Sequence, residues 1–311
     1  MKYYKIINPE GHNGIIYHEG LNIDPLPFNP SGDCEPGGIY FAKEDILAFV
    51  DYGTELYEVE PIGDVYENPG EPKKYKAHEV NLRYVGKITD NIEMLIKEVA
   101  NIHAGKNYAL YWAAENGHQN VIKVLIENGI NIPTDNDYAL RLASKNGHYD
   151  IVKLLLEYNA DVHAQNDNAL HWAAENGHYE IVKLLIENGA NIHAENDYAL
   201  RFATNNRHYN IVKLLIECGA DVHTNDDFAL YLAANNGYYD IVELLLKYRA
   251  DIRACNDIAL RCAVRNKHYD VVELLLEHGA DVHANDDDAL RWAKHNDDKR
   301  MIKLLESYIN R

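Results

Sequence analysis

Residues 167–196 read DNALHWAAENGHYEIVKLLIENGANIHAEN, and this unit recurs along most of the chain. Its Ala–Leu pair returns at a constant spacing of 30 residues. The pairs are Ala109/Leu110, Ala139/Leu140, Ala169/Leu170, Ala199/Leu200, Ala229/Leu230, Ala259/Leu260 and Ala289/Leu290. A fixed period of this length predicts an array of stacked supersecondary units. The repeat therefore decides the fold.

Each unit predicts two helices. In the quoted unit, the apolar run around Leu170 forms the first helix, and Asn176–Gly177 interrupts it. The apolar residues 181–186 then predict a second helix, which Gly189 ends. We expect a helix, a tight turn, a second helix and a loop in every unit.

The two ends of the array differ from this pattern. Residues 89–106 match only the second helix and the loop, so they predict an N-terminal half repeat. Residues 107–311 supply seven units, and in the last one Asp297–Arg300 replaces the usual Gly-His turn. Atypical end units are typical of repeat arrays, whose ends need a polar outer face.

A residue of the N-cap type stands two positions before each Ala–Leu pair. These residues are Asn107, Asp137, Asp167, Asp197, Asp227, Asp257 and Asp287. Asn and Asp side chains accept hydrogen bonds from the first turn of a helix, an effect of about 1 kcal/mol. We expect each of them to cap its own first helix.

Ten of the 16 histidines fall into two repeat columns. The columns are His118, His148, His178, His208 and His268, and His103, His163, His193, His223 and His283. Column neighbours lie one repeat apart, about the 8–10 Å of helix packing, whereas the ligands of a zinc ion all lie about 2 Å from it. We expect structural loop histidines and no metal site.

The charge excludes some classes of partner. The 311 residues include 49 acidic and 30 basic side chains, giving a net charge of −19, and no run of Lys or Arg breaks this balance. We therefore expect neither nucleic acid nor an anionic membrane as a partner.

Cysteine usage and hydropathy predict the location of the protein. Cys34, Cys218, Cys255 and Cys262 form no C-x-x-C pair, which favours a reducing compartment. No signal peptide and no apolar run of about 18 residues is evident. We expect a soluble, intracellular protein that is not secreted.

The first 88 residues contain no repeat and predict a small α+β domain. The strands are expected at 3–7, 14–20, 37–41, 55–62 and 76–88, and one helix at 42–53. Pro- and Gly-rich loops separate these segments.

The repeats resemble the ankyrin-repeat family. The stretch NGHYDIVKLLLEYNADVHA, residues 146–164, is similar to that family's G-H-x-x-V-V-x-L-L-L-x-x-G-A-D-V-N-A signature. The unit has 30 residues rather than the usual 33, and x-A-L-x replaces T-P-L-H. The resemblance implies a mainly α fold, an ankyrin-repeat solenoid behind a small N-terminal α+β domain. The short units, rich in Asn, Ile and Tyr, also resemble ankyrin proteins of large DNA viruses such as mimiviruses, which implies the host cell cytoplasm.

The same resemblance implies a monomeric, cofactor-free scaffold that binds a host or viral protein on its concave face. The residue after each Ala–Leu pair is our candidate for contact with the partner. These residues are Tyr111, Arg141, His171, Arg201, Tyr231, Arg261 and Arg291. Tyr and Arg are enriched at binding hot spots. Alternatively, each Arg forms an ion pair with the Asp four residues before it, worth about 0.2–0.5 kcal/mol.

The N-terminal segment resembles the NAD-binding core of poly-ADP-ribosyltransferases, on the order HEGLNI, GGIYFA, YEVEPI and VNLRYV. That resemblance implies a His that binds ribose, a Tyr that stacks on nicotinamide and a catalytic Glu. The matching positions are His12 or His18, Tyr52 or Tyr40, and Glu71. The alternative function is therefore an NAD-dependent transferase whose repeats recruit the substrate.

Overall fold

The computed structural model describes residues 2–10, 16–26, 28, 38–68, 70, 72–98, 100–133 and 137–309. The chain divides into two compact units. The first consists of Met1–Ala143 and Asp150–Ala160, and the second of Ser144–Tyr149 and Asp161–Arg311.

An antiparallel sheet forms the N-terminal part of the first unit. Its strands are β1 (Tyr3–Ile7), β2 (Gly20–Ile23), β3 (Ile39–Phe41), β4 (Glu55–Glu67) and β5 (Tyr75–Lys87). The strand order is β1-β4-β5-β2, and β3 also pairs with β5. Its core includes Ile7, Ile39, Phe41, Val59, Ala77, Val80 and Leu82. The predicted strand-containing domain is therefore present.

Two details of this domain differ from the sequence prediction. Residues 14 and 15 of the strand expected at 14–20 lie outside the described residues, and the prediction is wrong for 16–19, because pairing with β5 begins at Gly20 and continues to Ile23. The helix expected at 42–53 is a 3-10 helix, Ile46–Tyr52, interrupted by non-helical dihedral angles at Phe49. Its Ile46, Leu47 and Val50 are buried, so the apolar pattern was correct although the helix type was not.

Three helices follow the sheet, α1 (Ile88–Glu98), α2 (Ala104–Asn116) and α3 (Gln119–Glu127). The 3-10 helix contacts α2, and α1 contacts α3. The backbone N–H of Asn101 donates to the carbonyl oxygen of Glu44 at 2.5 Å, and the Tyr108 hydroxyl donates to Asp51 at 3.0 Å. The 3-10 helix therefore takes the place of the first helix that the half repeat lacks. The first unit also contains most of α4 (Tyr138–Lys145) and α5 (Tyr149–Glu157).

The second unit is built from helix pairs. They are α6 (Ala164–Glu175) with α7 (Tyr179–Glu187), α8 (Ala194–Asn205) with α9 (Tyr209–Glu217), α10 (Thr224–Asn236) with α11 (Tyr239–Lys247), α12 (Ala254–Arg265) with α13 (Tyr269–Glu277), and α14 (Ala284–His295) with α15 (Lys299–Ile309). Each first helix contacts the next first helix, and each second helix the next second helix. The Ala–Leu pairs are buried between them, as at Ala199 and Leu200, except that Leu290 in the last pair is only partly buried.

A left-handed turn opens each first helix of the second unit. Three consecutive residues have φ between +50° and +59°, at 165–167, 195–197, 225–227, 255–257 and 285–287. Asn and Asp tolerate this conformation better than other L-residues because their short side chains form local hydrogen bonds. The sequences QND, END, NDD, CND and NDD therefore suit the turn at most positions.

The aspartate that ends each turn does not cap its own helix, so the N-cap prediction was wrong for the second unit. An N-cap residue has β-region dihedral angles, whereas Asp197 has φ +51°. Its carboxylate instead accepts the backbone N–H of Asp221, 24 residues later, at 2.9 Å. The equivalent bonds are Asp167 to Asn191, Asp227 to Asp251 and Asp257 to Asp281, at 2.7, 2.6 and 2.7 Å. Each carboxylate thus links its repeat to the next one.

Loop histidines contact three of these four carboxylates, and His283 contacts that of Asp287. The Nδ1–Oδ1 distances are 3.1 Å for His163–Asp167, 3.2 Å for His193–Asp197, 3.1 Å for His223–Asp227 and 2.6 Å for His283–Asp287. An ionised carboxylate only accepts, so the imidazole N–H donates. This column has the structural role that we expected.

The second histidine column also connects repeats. Nε2 of His178, His208 and His268 lies 2.9–3.0 Å from the carbonyl oxygens of Lys145, Glu175 and Asn235 in the preceding repeat. Each imidazole covers the turn glycine of that repeat. At Gly177, a Cβ atom would lie 2.7 Å from Cε1 of His208.

Where the turn glycine is replaced, the histidine of the next repeat that would cover it is replaced as well. Arg207 replaces the glycine in one turn, and Tyr238 replaces the following histidine, with the guanidinium 5.3 Å from the ring centroid. Lys267 replaces the glycine in another turn. Asp298 stands in place of the following histidine, and its carboxylate lies 3.7 Å from the Lys267 ammonium group. The two positions therefore act as one inter-repeat contact.

We predict that Gly177→Ala lowers the free energy of unfolding by about 1–3 kcal/mol more than Gly189→Ala. Both glycines have positive φ, but a Cβ atom meets open space only at Gly189. The measurement is chemical denaturation of both variants. The same substitution in a His208→Ala background should lose most of this excess, and an equal effect of both glycine substitutions would refute the steric argument.

We predict that Cys255→Gly raises the free energy of unfolding by about 0.5–1 kcal/mol. Cys255 is exposed and has φ +50°, a conformation that destabilises a non-glycine residue by about 1–2 kcal/mol, partly offset by the flexibility of glycine in the unfolded chain. Cys218 is the matched control, because it is also exposed but has φ −84°. Cys218→Gly should lower the stability, so effects of the same sign in denaturant titrations would contradict the prediction.

Candidate interaction surface

The candidate contact column is not uniformly exposed. Tyr111 and His171 are buried, with 8% and 2% of their surface accessible, so these two candidates lack the exposed surface that contact with a partner requires. The ring of Tyr111 packs edge-on against Tyr138 at 5.2 Å. The ring of His171 packs 4.6 Å from Tyr198, and burial lowers its pKa, which favours the neutral imidazole.

The arginines of the column brace the left-handed turns. Nε and Nη2 of Arg201 donate to the carbonyl oxygens of Asn196 and Glu195, at 3.0 and 2.9 Å. Arg261 contacts Asn256 and Cys255 in the same way, at 3.0 and 3.3 Å. Nη2 of Arg291 donates to the carbonyl oxygen of Asn285 at 3.3 Å.

These bonds also bear on the alternative that each Arg forms an ion pair with the Asp four residues before it. Arg201 and Arg261 bind backbone oxygens of the turn instead of the carboxylates four residues before them, which are already occupied by the next repeat. In the first unit, the guanidinium of Arg141 lies 4.9 Å from the ring centroid of Tyr138.

Sequence reasoning missed the position immediately before each Ala–Leu pair. It holds Tyr108, Tyr138, Asn168, Tyr198, Phe228, Ile258 and Asp288. Tyr138 and Phe228 expose 37% and 36% of their surface. Phe228 contacts Tyr231 with ring centroids 5.2 Å apart, and Tyr198 stacks on Phe202 at 3.9 Å. The signal was available, because a large apolar residue recurs there beside a pair that already fills the core.

We call six residues of the second unit the first-helix ridge. They are Tyr198, Arg201, Phe228, Tyr231, Ile258 and Arg261, and each is at least partly exposed. The ridge combines aromatic and aliphatic surface with guanidinium groups held by backbone bonds. Such a surface can bury apolar side chains of another protein while its polar groups stay satisfied.

The described residues contain no group of three or more His, Cys, Asp or Glu side chains that could hold a metal ion. Within the same part of the chain, no helix is long and apolar enough to cross a membrane.

The residues of the transferase alternative are only partly described. His12 and Glu71 lie outside the described residues. His18 is exposed just before β2, at one edge of the sheet, with Nδ1 2.9 Å from the carbonyl oxygen of Glu19. Tyr52 is 48% exposed at the end of the 3-10 helix, which contacts β1 at the other edge, and Tyr40 lies in β3. The described members of this set therefore lie on separate elements of the domain.

Comparison with known proteins identified relatives of the repeats. Two ankyrin repeat proteins of Acanthamoeba polyphaga mimivirus are similar to this chain, at 35% identity over 127 residues and 30% over 132 residues. These alignments cover 36% and 37% of this chain, and only 40% and 37% of the relatives' own lengths. The crystal structure of the human ASB11 ankyrin repeat domain is similar at 25% identity, with a TM-score of 0.56 over 64% of this chain and 96% of that domain.

The family model for ankyrin repeats matches residues 83–166, 131–196, 163–226 and 200–286. These segments together cover more than half of the chain, and they contain the helix pairs from α6 to α13, the turn histidines and the inter-repeat carboxylates described above. The chain belongs to the ankyrin repeat family.

Proposed function

We propose that this protein is a non-enzymatic scaffold that binds a host or viral protein on the first-helix ridge. Ankyrin repeats generally mediate interactions between proteins, and the ridge lies on the first helices, which the family resemblance associates with the concave face. The domain boundaries at 88 and 106 and the monomeric state remain part of this proposal.

One observation carries the proposal. Large apolar side chains recur on the water-exposed side of the first helices, although the Ala–Leu pairs already fill the core between them. Phe228 still exposes 36% of its surface, and hydrophobic stabilisation scales with the area removed from water. A docked partner would bury the remainder.

The arginines support the same surface in a different way. Arg201 also lies 5.6 Å from the ring centroid of Tyr198, so the turn, the guanidinium and the aromatic ring form one fixed group. A side chain fixed before binding loses little conformational entropy when a partner docks. The ridge is therefore preorganised for binding.

We predict that Phe228→Ser or Tyr198→Ser weakens binding of the partner at least tenfold, the effect of about 1.4 kcal/mol expected at a hot spot. The partner is first captured by the wild-type chain from a lysate of Acanthamoeba cells, purified, and titrated against each variant by calorimetry. The matched control is Tyr179→Ser, because Tyr179 is similarly exposed, at 38%, but begins a second helix.

Thermal unfolding of all three variants separates loss of binding from loss of folding. If Tyr179→Ser weakens the complex as much as Phe228→Ser, or if neither ridge variant changes the affinity, the ridge is not the binding surface.

A further inference from the structure

The ridge ends in a cluster of three arginines around one carboxylate. Asp288 in α14 takes the position that Tyr198 and Phe228 hold in other repeats. Its Oδ2 atom lies 2.8 Å from Nη2 of Arg265 and 3.5 Å from Nη1 of Arg261. Its Oδ1 atom lies 3.8 Å from Nη2 of Arg291.

This cluster has an excess of positive charge in an acidic protein. Three guanidinium groups face one carboxylate, so these four side chains by themselves sum to +2, whereas the whole chain carries −19. Cys262 lies close to these charges, and burial raises the pKa of its thiol, which keeps it neutral. The neighbouring Asp287 is already within hydrogen-bond distance of His283.

The three arginines differ in the donors that they still have available. Arg261 exposes only 15% of its side chain and uses Nε and Nη2 on the left-handed turn. Arg265 and Arg291 expose 47% and 61% of their side chains. A guanidinium has five N–H donors in a planar fork, which matches the two oxygens of a carboxylate. Arg265 and Arg291 can therefore accept a further anion while they remain bound to Asp288.

We propose that Arg265 and Arg291, which flank Asp288, bind an acidic side chain of a protein segment that lies along the first-helix ridge. The proposal rests on the proposed function, since it names the chemistry of the partner at one end of the same surface. Asp288 itself shows that the cluster takes a carboxylate. The field of a chain with net charge −19 repels a long polyanion such as nucleic acid, whereas one Asp or Glu of a partner meets mainly the nearby guanidinium groups of Arg265 and Arg291.

The test uses the full chain and two dye-labelled octapeptides, one of alternating Leu and Glu and one of alternating Leu and Gln. Fluorescence polarisation at about 50 mM salt measures both affinities. We expect the acidic peptide to bind more tightly, Arg265→Gln and Arg291→Gln each to weaken it at least about threefold, and neither variant to change the neutral peptide. Asp288→Asn should strengthen the acidic peptide at least about twofold, because it removes the resident carboxylate.

Lys213→Gln is the matched control, since it makes the same change in charge on α9, a second helix. An equal loss with Lys213→Gln would mean that only the overall charge acts, and it would overturn the proposal. Three other outcomes would also overturn the proposal. They are equal affinities for the two peptides, no effect of Arg265→Gln and Arg291→Gln, and weaker binding of the acidic peptide by Asp288→Asn. Tighter binding of a single-stranded oligonucleotide of equal charge would identify a different class of ligand and reject the protein segment.

Loss of neutral-peptide binding with Phe228→Ser tests the ridge independently of the arginines. If that variant has no effect while Arg265→Gln acts as expected, the ridge proposal fails and the anion site stands. If Phe228→Ser abolishes binding of the neutral peptide but Arg265→Gln has no effect, the ridge proposal stands and the proposal of an acidic partner residue fails.

Discussion

The repeats of the second unit depend on one hydrogen bond, in which a turn aspartate accepts a backbone N–H 24 residues later. Asp227 accepts that of Asp251 at 2.6 Å, and burial raises its pKa, because the desolvated carboxylate is less stable than one in water. The bond compensates part of this desolvation, and the imidazole of His223 supplies a second donor. Neither repeat satisfies its loop alone, so adjacent units must order together.

This bond explains why the turn is left-handed. A shortened loop must reach from the end of one second helix to the next first helix and still direct its carboxylate toward the following repeat. Three residues near φ +55° achieve this, and the strain falls mostly on Asn and Asp, which tolerate it. The arginine after the Ala–Leu pair then satisfies the carbonyl oxygens that the turn exposes, as Arg201 does for Glu195 and Asn196.

Periodicity predicted the part of the structure that depends on burial. The Ala–Leu pairs, except Leu290, and the inward-facing residues of the second helices are buried, as at Leu170 and Val182, because a helix face shows its contacts directly in residue spacing. The role of Asp167 was not predictable in this way, because a cap and an inter-repeat acceptor require the same side chain. The burial of His171 was missed for a related reason, since its neighbour Tyr198 lies 27 residues away and belongs to the next repeat.

The same limit applies to the surface. Sequence alone treated the whole column after the Ala–Leu pair as surface, although Tyr111 and His171 are buried, and it did not show that Arg201 already has backbone partners while Phe228 remains partly exposed. That difference decides which positions are available to a partner. Arg201 supports the shape of the ridge, so its removal disturbs the turn as well as the surface, whereas Phe228 keeps 36% of its surface exposed for contact. Asp288 marks where the ridge changes from apolar to ionic contacts, and it does so through arginines from two adjacent repeats, Arg265 and Arg291. The inter-repeat stacking that stabilises the array therefore also assembles its candidate binding surface.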